Sequence, residues 1–397
     1  MRTALVSLFV LLASTVRAQP GPQEAPAGFD DESNGLTDQA TFHADREVFE
    51  ERELVEDGLG PVYNAQACAE CHQSPVTGGV SQVTEIRAGF RGSRGEFMEP
   101  PGGSLINDRA IHASLQEVVP VEASVRALRA SLNTLGDGFV EAIADETLVA
   151  IAEKQARDTR GRIAGEIVRV PVLEAGGELR VGRFGWKNQH ASLVSFSADA
   201  YLNEMGITSP LMPAENSSMG RPVDSYDTVP DPEDDGADIE IFARFMRATK
   251  VPPRDEAVAA TESALAGARI FEAIGCAHCH TSEIVTAPVG TVVNGGAFAI
   301  PDALGDKIIH PFGDFLLHDV GTGDGVVQNG GRSTASKVRT APLWGLRTRS
   351  RFMHDGESLT VNDAILRHRG EAALAGRNYR FLGSRGRAQL LVFLSSL

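Results

Sequence analysis

Apolar residues recur at helical spacing in several parts of the chain. Ile241, Phe242, Phe245 and Met246 share one face of the segment 239–249, and such a stripe is typical of a helix packed against a core. By the same reasoning, further helices are predicted over 41–53, 125–132, 139–156, 192–203, 262–275, 361–367 and 385–397.

Strand signals are fewer. Two short apolar runs, at 167–170 and 179–181, flank a turn that contains Gly176 and Gly177. Short β-branched runs on either side of a glycine turn are typical of a β-hairpin. The pattern therefore predicts a mainly α protein with one small β-hairpin insertion.

Glycine, proline and acidic runs mark the connecting segments. The segments 89–108 and 209–238 are rich in Gly or Pro and are predicted to be loops. The second loop ends in the acidic run 231–235, which we interpret as a solvated loop, with a calcium or partner site as the alternative. The Val-Pro-Pro run at 251–253 ends the helix before it, because proline lacks an amide donor and restricts its predecessor. We place a domain boundary there.

The N-terminus predicts export. Arg2 precedes an apolar run over 4–16, and Ala18 provides a small residue before a cut, which is the pattern of a secretory signal peptide over 1–18. A short buried helix is the alternative. Residues 19–40 are expected to form a flexible N-terminus. No later run holds 18 consecutive apolar residues, so we expect a soluble exported protein with no integral membrane segment.

The length and the net charge of the chain limit the number of domains and the kind of partner that we expect. A chain of 397 residues with 42% apolar and 23% charged residues is long enough for two globular domains. Lys and Arg number 37 against 53 Asp and Glu, which gives a net charge of −16. This acidic balance argues against nucleic acid as a partner, because nucleic-acid binding needs basic patches. It is compatible with a basic protein partner.

All four cysteines lie in two short motifs of the same form. These are Cys68-Ala-Glu-Cys71-His72 and Cys276-Ala-His-Cys279-His280. The spacing Cys-x-x-Cys-His is the attachment signature of c-type haem, because two thiols bond the porphyrin vinyl groups and the adjacent imidazole reaches the iron. A zinc site or redox dithiols are the alternatives, but neither needs a His directly after both pairs. We therefore expect two covalent c-type haems and a periplasmic location.

The motifs define the expected architecture. One lies on each side of the boundary at 251–253, so each domain is expected to hold one haem. The predicted fold is mainly α, with two cytochrome-c-like haem domains and the small β-hairpin insertion. The N-terminal haem domain with insertions would span 41–250, and the C-terminal cytochrome c domain would span 255–397.

Six segments besides the haem motifs carry a family resemblance over about residues 40–397. The chain resembles the di-haem oxidoreductases that are classed with peroxidases, some of them labelled thiol oxidoreductases. That family is related to the bacterial di-haem cytochrome c peroxidases and to the enzyme that matures a tryptophan-derived quinone cofactor. The segments are Gly58–Ala67, Gly182–Lys187, Asn203–Thr208, Phe315–Asp319, Thr340–Gly345 and Phe352–Gly356.

The resemblance guides the choice of the remaining iron ligands. The bacterial peroxidases place a His-Asp-Gly fourteen residues before the sixth ligand of one haem, and here His354 and His368 have that spacing. We therefore favour His368 as the sixth ligand of the second haem, with His354, His318 and Met353 as alternatives. For the first haem the choice stays open among an open or water-bound site, His112, His190 and His43.

The resemblance also suggests two residues for the chemistry. Trp186 matches a tryptophan that lies between the two haems of the relatives, and Glu204 matches a carboxylate that would donate or accept a proton. The relatives have a Gln ten residues after the tryptophan, whereas this chain has Phe196. We expect a peroxidase-like enzyme that takes electrons from a small redox protein and reduces peroxide or a related oxidant. An electron carrier without its own substrate, and an oxidase or oxygenase of an organic or protein substrate, are the alternatives.

Overall fold

The computed structural model describes residues 21–397. The predicted signal peptide over 1–18 lies outside the described residues. Helices hold 34% of the described residues and strands 15%. The fold is therefore mixed, and the expectation of a mainly α protein with a single hairpin is wrong in that respect. Among residues 21–397, no helix combines the length and the apolar character needed to cross a bilayer.

Eleven α-helices lie within the described residues. In chain order they are α1 (Gln39–Glu50), α2 (Cys68–Cys71), α3 (Asp137–Glu141), α4 (Asp145–Thr159), α5 (Leu193–Ala200), α6 (Ala237–Ala248), α7 (Glu256–Ala259), α8 (Glu262–Ala273), α9 (Val361–Arg367), α10 (Ala373–Phe381) and α11 (Ser384–Leu394). A π-helical turn, Tyr201–Met205, continues α5.

Fifteen short strands occur in the same residues. They are β1 (Gln23–Glu24), β2 (Val62–Tyr63), β3 (Thr84–Arg91), β4 (Phe97–Met98), β5 (Leu105–Ile106), β6 (Arg109–Ala110), β7 (Val125–Ala130), β8 (Arg169–Val172), β9 (Glu178–Val181), β10 (Ile284–Val285), β11 (Val292–Val293), β12 (Phe298–Ala299), β13 (Lys307–Ile309), β14 (Leu317–His318) and β15 (Val338–Arg339). The largest sheet is four-stranded and antiparallel, with β3 paired to β4, β5 and β7.

Strand β7 corrects the prediction of a helix over 125–132. Val125, Ala127 and Arg129 are buried, whereas Arg126 and Leu128 are exposed, so burial alternates with a period of two. This period is that of a strand with one covered face. The partner strand β3 begins about forty residues earlier in the chain, and a long-range pairing of this kind overrides the local preference for a helix.

The predicted hairpin is present, and the predicted loop before it is partly a sheet. Strands β8 and β9 pair antiparallel from Arg169 opposite Val181 to Val172 opposite Glu178. The segment 89–108 was expected to be loop, but it contains the end of β3 and all of β4 and β5. The Gly and Pro residues in it form the connections between these strands.

The main hydrophobic core draws on both sides of the expected boundary. Helices α1 and α6 pack through aromatic rings. The ring centroid of Phe245 on α6 lies 5.4 Å from that of Phe42 and 4.9 Å from that of Phe49, both on α1. The same cluster includes Phe315 and Trp344 from the C-terminal part of the chain. A second cluster is formed from residues 271–397 alone and lies around the second Cys-x-x-Cys-His motif.

The part of the N-terminal segment that the structure describes lies along the C-terminal half of the chain. Strand β1 pairs in parallel with β13, from Gln23 opposite Lys307. The buried Asn34 amide donates hydrogen bonds to the carbonyls of Arg247 and Thr249, at 2.8 and 3.0 Å. These contacts hold residues 23–34 against the main core.

Helices α8 and α11 cross closely beside the second motif. A Cβ added at Gly267 would lie 2.1 Å from the Gln389 carbonyl oxygen and 2.7 Å from the Phe393 Cβ. The approach brings the Phe271 and Phe393 rings to 5.3 Å between centroids. The terminal helix therefore covers the helix that leads into Cys276, and glycine is required at this crossing.

Replacing Gly267 with Ala should destabilise the protein by about 1–3 kcal/mol, because the new methyl group meets backbone that cannot yield. Denaturant unfolding followed by far-ultraviolet circular dichroism measures the change. Gly386→Ala is the control, because its added Cβ would make only ordinary contacts at 3.6 Å or more. Equal stability of Gly267→Ala and the wild type would contradict the close approach.

Candidate haem centres

The second motif opens into an enclosed apolar cavity. Gly275 ends α8 with φ +97°, a conformation that favours glycine, and a short 3-10 turn over Cys276–His278 follows it. The cavity has a volume of about 610 Å³ and is lined by both cysteines of the motif, by His280 and by side chains of α9, α10 and α11. Cavities of this size are typical of cofactor sites.

Two imidazoles face each other across this cavity. His280 Nδ1 donates to the Phe312 carbonyl at 2.9 Å, and His368 Nδ1 donates to the Ala364 carbonyl at 2.8 Å. These bonds leave both Nε2 atoms free, and such a hydrogen bond is what fixes the orientation of a metal-bound imidazole. Burial lowers the pKa of His280 to about 4 and that of His368 as well, so both rings are neutral at pH 7.

The separation of the two rings fits two ligands of one iron. Imidazole nitrogens bind a metal at about 2 Å, and each nitrogen lies about 1.1 Å from its ring centroid, so two such ligands on opposite sides of a metal have centroids a little over 6 Å apart. The centroids of His280 and His368 are 6.4 Å apart. Cys276 and Cys279 are both free thiols. The residues present therefore fit a haem with His368 as the sixth ligand.

Of the alternative ligands of this haem, His318 is held by carboxylates, whereas His354 and Met353 line the same cavity as His368. His318 is fully buried, and its ring nitrogens bond Asp314 and Glu371, both at 2.9 Å. Burial opposes protonation of His318, but these two carboxylates raise its pKa well above the usual value. A ring held at both nitrogens is not free to bind iron. His354 and Met353 line the cavity, and His354 Nδ1 is buried without a hydrogen-bond partner.

The first motif forms the one-turn helix α2 and the residue after it. His72 Nδ1 donates to the Gly79 carbonyl at 3.3 Å, and the Leu132 backbone carbonyl also hydrogen-bonds the ring. The ring of Phe49 lies beside it, 6.4 Å between centroids. Cys68 and Cys71 are free thiols, and burial raises the pKa of each to about 12. The first motif therefore shares with the second two reduced cysteines and an imidazole held through Nδ1 by a backbone carbonyl.

The three histidines considered as sixth ligand of the first haem each have a polar partner. His43 Nε2 lies 2.8 Å from the Gln39 amide nitrogen, and His112 Nδ1 lies 2.8 Å from the Ser114 hydroxyl. His190 Nε2 lies 3.2 Å from an Asp199 carboxylate oxygen. None of these contacts is with His72, and the choice of the sixth ligand of the first haem stays open among these histidines and an open or water-bound site.

Glu204 lies against the segment that leads into the first motif. Its carbonyl accepts from the amides of Asn64 and Ala65 at 2.7 and 3.0 Å, and its carboxyl accepts from the Asn64 side chain at 2.8 Å. Burial, followed by the charge of Glu85, raises the pKa of Glu204 to about 8. Its charge also contributes to the raised pKa of Cys71. Glu204 therefore holds a proton beside the first motif at pH 7.

Glu85, which the sequence did not single out, shares this site. It lies on β3 and hydrogen-bonds Glu204, and Arg87 on the same strand face donates to its carboxylate at 2.9 and 3.1 Å. Arg129 lies opposite Glu85 in the register with β7, with the charged groups 3.9 Å apart. Burial opposes ionisation of Glu85, but the two guanidinium groups hold its pKa below the usual value. Glu85 is thus the ionised member of the pair and Glu204 the protonated one.

Trp186 lies between the second cavity and the loop after the first motif. It lines the second cavity and a polar cavity of about 400 Å³ that also holds Ser74 and Val80. Its Nε1 donates to the Ala130 carbonyl at 2.8 Å, which holds the indole against β7. The ring also meets His354 edge-on, 6.0 Å between centroids. Phe196, by contrast, stacks on Phe184 with centroids 5.8 Å apart.

The acidic run brings carboxylates together at the surface. Single oxygens of Glu215, Asp231 and Glu233 all lie within 4.8 Å of one another. Burial and the neighbouring acids, Glu233 first, raise the pKa of Glu215 to about 9. The assignment of the run to a loop agrees with its irregular backbone, and a calcium site there stays a prediction.

A family model described as "Di-haem oxidoreductase, putative peroxidase" matches residues 115–397. The chain belongs to this di-haem oxidoreductase family. Family membership implies two haems and confirms the resemblance seen in the sequence. The matched range contains the second motif, Trp186, Glu204 and His368, whereas the first motif precedes it. No curated protein sequence matches the chain.

Solved structures of similar proteins extend over nearly the whole chain. One is a hydrazine synthase from Kuenenia stuttgartiensis under xenon pressure, at 14% identity, covering 98% of this chain and 100% of that chain with a TM-score of 0.42. Another is a MauG-like protein associated with microbial copper homeostasis, at 14% identity, covering 97% and 95% with a TM-score of 0.43.

His368→Ala should convert one low-spin haem signal to a high-spin signal, because the iron loses an imidazole on one side. It should also raise the potential of that haem, since a strong donor is removed. Electron paramagnetic resonance and a redox titration measure both effects. His310→Ala is the control, because His310 is exposed and bonds only Ser282 and Glu24. An unchanged spectrum of His368→Ala would mean that another group binds the second iron.

Proposed function

We propose that the protein is an exported di-haem c-type oxidoreductase that accepts electrons from a small redox protein and reduces peroxide or a related oxidant. A c-type haem supplies an iron that exchanges one electron at a time. Cys68, Cys71 and His72 would hold one haem, and Cys276, Cys279, His280 and His368 the other. The observation that carries the proposal is the buried carboxyl pair, Glu204 and Glu85, beside the first motif.

The two sites differ in ways that suit different roles, electron transfer at the second site and reduction of the oxidant at the first. At the second site two oriented imidazoles face each other, which is an arrangement for electron transfer. At the first site the carboxyl group of Glu204, which holds a proton at pH 7, lies close enough to Cys71 of the motif to influence its pKa. Reduction of one peroxide to two waters consumes two electrons and two protons, so the reacting site needs a local proton source. Glu204 holds such a proton, and Glu85 accepts a hydrogen bond from it.

The position of Trp186 supports its assignment as a residue between the haems. It contacts the cavity of the second site on one side and the loop after the first motif on the other. An aromatic ring in that position shortens the gap across which an electron must pass. The hydrogen bond from its Nε1 to Ala130 keeps the ring in place.

An electron carrier is the second candidate, and Phe196 favours it. The peroxidases that the chain resembles have a Gln at this position, and here an apolar ring packs on Phe184 and His190 instead. A site without that amide has one polar group fewer to position a peroxide. The carrier would keep both haems and Trp186 but have no use for the proton on Glu204.

The haem load tests the cofactor assignment. The exported protein should exceed its peptide mass by two haems, and both should resist extraction with acidic acetone because thioether bonds hold them. Intact mass spectrometry measures the load. Cys276→Ala should keep the first haem and lose much of the folding of the second domain, whose core the haem completes. A single haem in the wild type, or zinc in its place, would contradict the assignment.

Glu204→Gln separates the enzyme from the carrier. The variant should keep both haem spectra and the rate of electron entry but reduce peroxide at least ~10²-fold more slowly, or ~2.7 kcal/mol of barrier. Because Glu204 is protonated below its pKa of about 8, wild-type turnover should fall as the pH rises through that value, and the variant should lack this limb. Steady-state kinetics over pH measures both effects.

Glu56→Gln is the matched control, because Glu56 is an exposed carboxylate near the same segment. It should turn over at the wild-type rate. If Glu204→Gln also keeps that rate, or if the wild type reduces no peroxide with any donor, the carrier becomes the better account of the protein.

A further inference from the structure

A buried arginine, Arg339, and a half-buried arginine, Arg349, line the cavity of the second motif. Arg339 ends β15, is 5% exposed, and donates from Nε to the Gly185 carbonyl at 2.9 Å. Arg349 follows a short 3-10 turn, and its Nη2 is buried without any hydrogen-bond partner. Both side chains border the same cavity as Cys276 and His280.

Neither of these two guanidinium groups forms a direct ion pair in the part of the chain that the structure describes. Asp137 and Asp314 act on Arg339 only from further away, and no carboxylate among residues 21–397 acts on Arg349. Burial lowers the pKa of each to about 10, and the charge of Arg349 also lowers that of Arg339. Both remain cations at pH 7. Two like charges, buried together and unpaired, are costly unless an anion completes the site.

The lining of the cavity indicates which kind of anion would neutralise the two arginines. Apart from the arginines, its walls are mainly apolar, with Phe271, Ile365 and Leu390 among them, and it contains the haem-binding motif. A haem is an apolar disc with two carboxylates, its propionates, on one edge. We propose that Arg339 and Arg349 bind the propionates of the second haem, which rests on the proposed attachment of haem at Cys276 and Cys279.

The location of Arg349 gives this pairing a direction. Arg349 and Trp186 both line the polar cavity of about 400 Å³ that reaches Ser74 and Val80 in the loop after the first motif. Propionates held by Arg349 would therefore lie on the side of the cavity where Trp186 lies. Arg349 would act as a positioning residue there, and its positive charge would favour the reduced form of a haem bound next to it.

Arg349→Gln tests the pairing through a potential. The variant should still carry two haems by intact mass, but the haem ligated by His368 should have a lower midpoint potential at pH 8. A tenfold change in the reduction equilibrium, about 59 mV for a one-electron couple, is the expected minimum. The unpaired propionate should have a raised pKa, so the potential should rise again as the pH falls, whereas the wild type should change little between pH 6 and 8.

Two further variants complete the design. Arg349→Lys keeps the charge and should restore most of the potential. Arg347→Gln is the matched control, because Arg347 is an exposed arginine two residues away and should leave the potential unchanged. If Arg349→Gln does not load haem, Arg349→Lys tests the pairing instead. The propionate bending band in its resonance Raman spectrum should then be shifted relative to the wild-type band.

A wild-type potential and pH profile in a fully loaded Arg349→Gln would overturn the proposal, and so would an unshifted Raman band in Arg349→Lys. Either result would also be expected if the arginines bound a free anionic substrate instead. A failure of the proposed function gives different results. If the wild type reduces no peroxide, the potentials of the arginine variants still test the propionate contact. If the second haem is not bound at all, the mass of the wild-type protein shows it.

Discussion

Each motif imidazole is oriented through Nδ1 by a hydrogen bond to a backbone carbonyl, and the path of the chain after each motif depends on that contact. His280 and His72 both bond a backbone carbonyl through Nδ1, so the sequence that follows each motif must fold back over it. The carbonyl for His280 comes from Phe312, more than thirty residues later. The loop-rich region after the second motif is therefore part of the iron site, and the contact of Gly267 with α11 supports it from the other side.

A buried ionic network joins the two sites. Glu204 contacts Glu85, Glu85 lies between Arg87 and Arg129, and Arg129 donates to Asp324 at 2.7 and 2.9 Å. Asp324 in turn bonds the fully buried Lys187 at 2.8 Å, next to Trp186 in the chain. Removing one member of such a network leaves a buried charge unpaired, which typically costs 3–5 kcal/mol. The network therefore fixes the β3–β7 sheet relative to the C-terminal part of the chain.

Features that depend on residues close together in the chain could be predicted from the sequence, whereas contacts between residues far apart in the chain could not. The haem motifs, most helices and the hairpin follow from spacing within a few residues. His368 was singled out through the family resemblance, and its ring lies 6.4 Å from that of His280 between centroids. The Arg129–Asp324 pair spans 195 positions, and Glu85 meets Glu204 across more than a hundred, so no local pattern identifies either contact. The helix expected at 125–132 failed for the same reason, because β3 supplies the strand pairing.

The placement of charge around the two sites supports the proposal that they have different roles. At the second motif Arg339 and Arg349 have no direct ion-pair partner among the described residues, which suits a cofactor that brings its own carboxylates. At the first motif the dominant groups are acids, and their mutual repulsion is relieved by leaving a proton on Glu204 while Glu85 takes the guanidinium partners. A site that only passes electrons gains nothing from a buried acid that shares a proton, since burial of the acid is unfavourable. A site that reduces an oxidant such as peroxide would use the acid, because the reaction consumes protons.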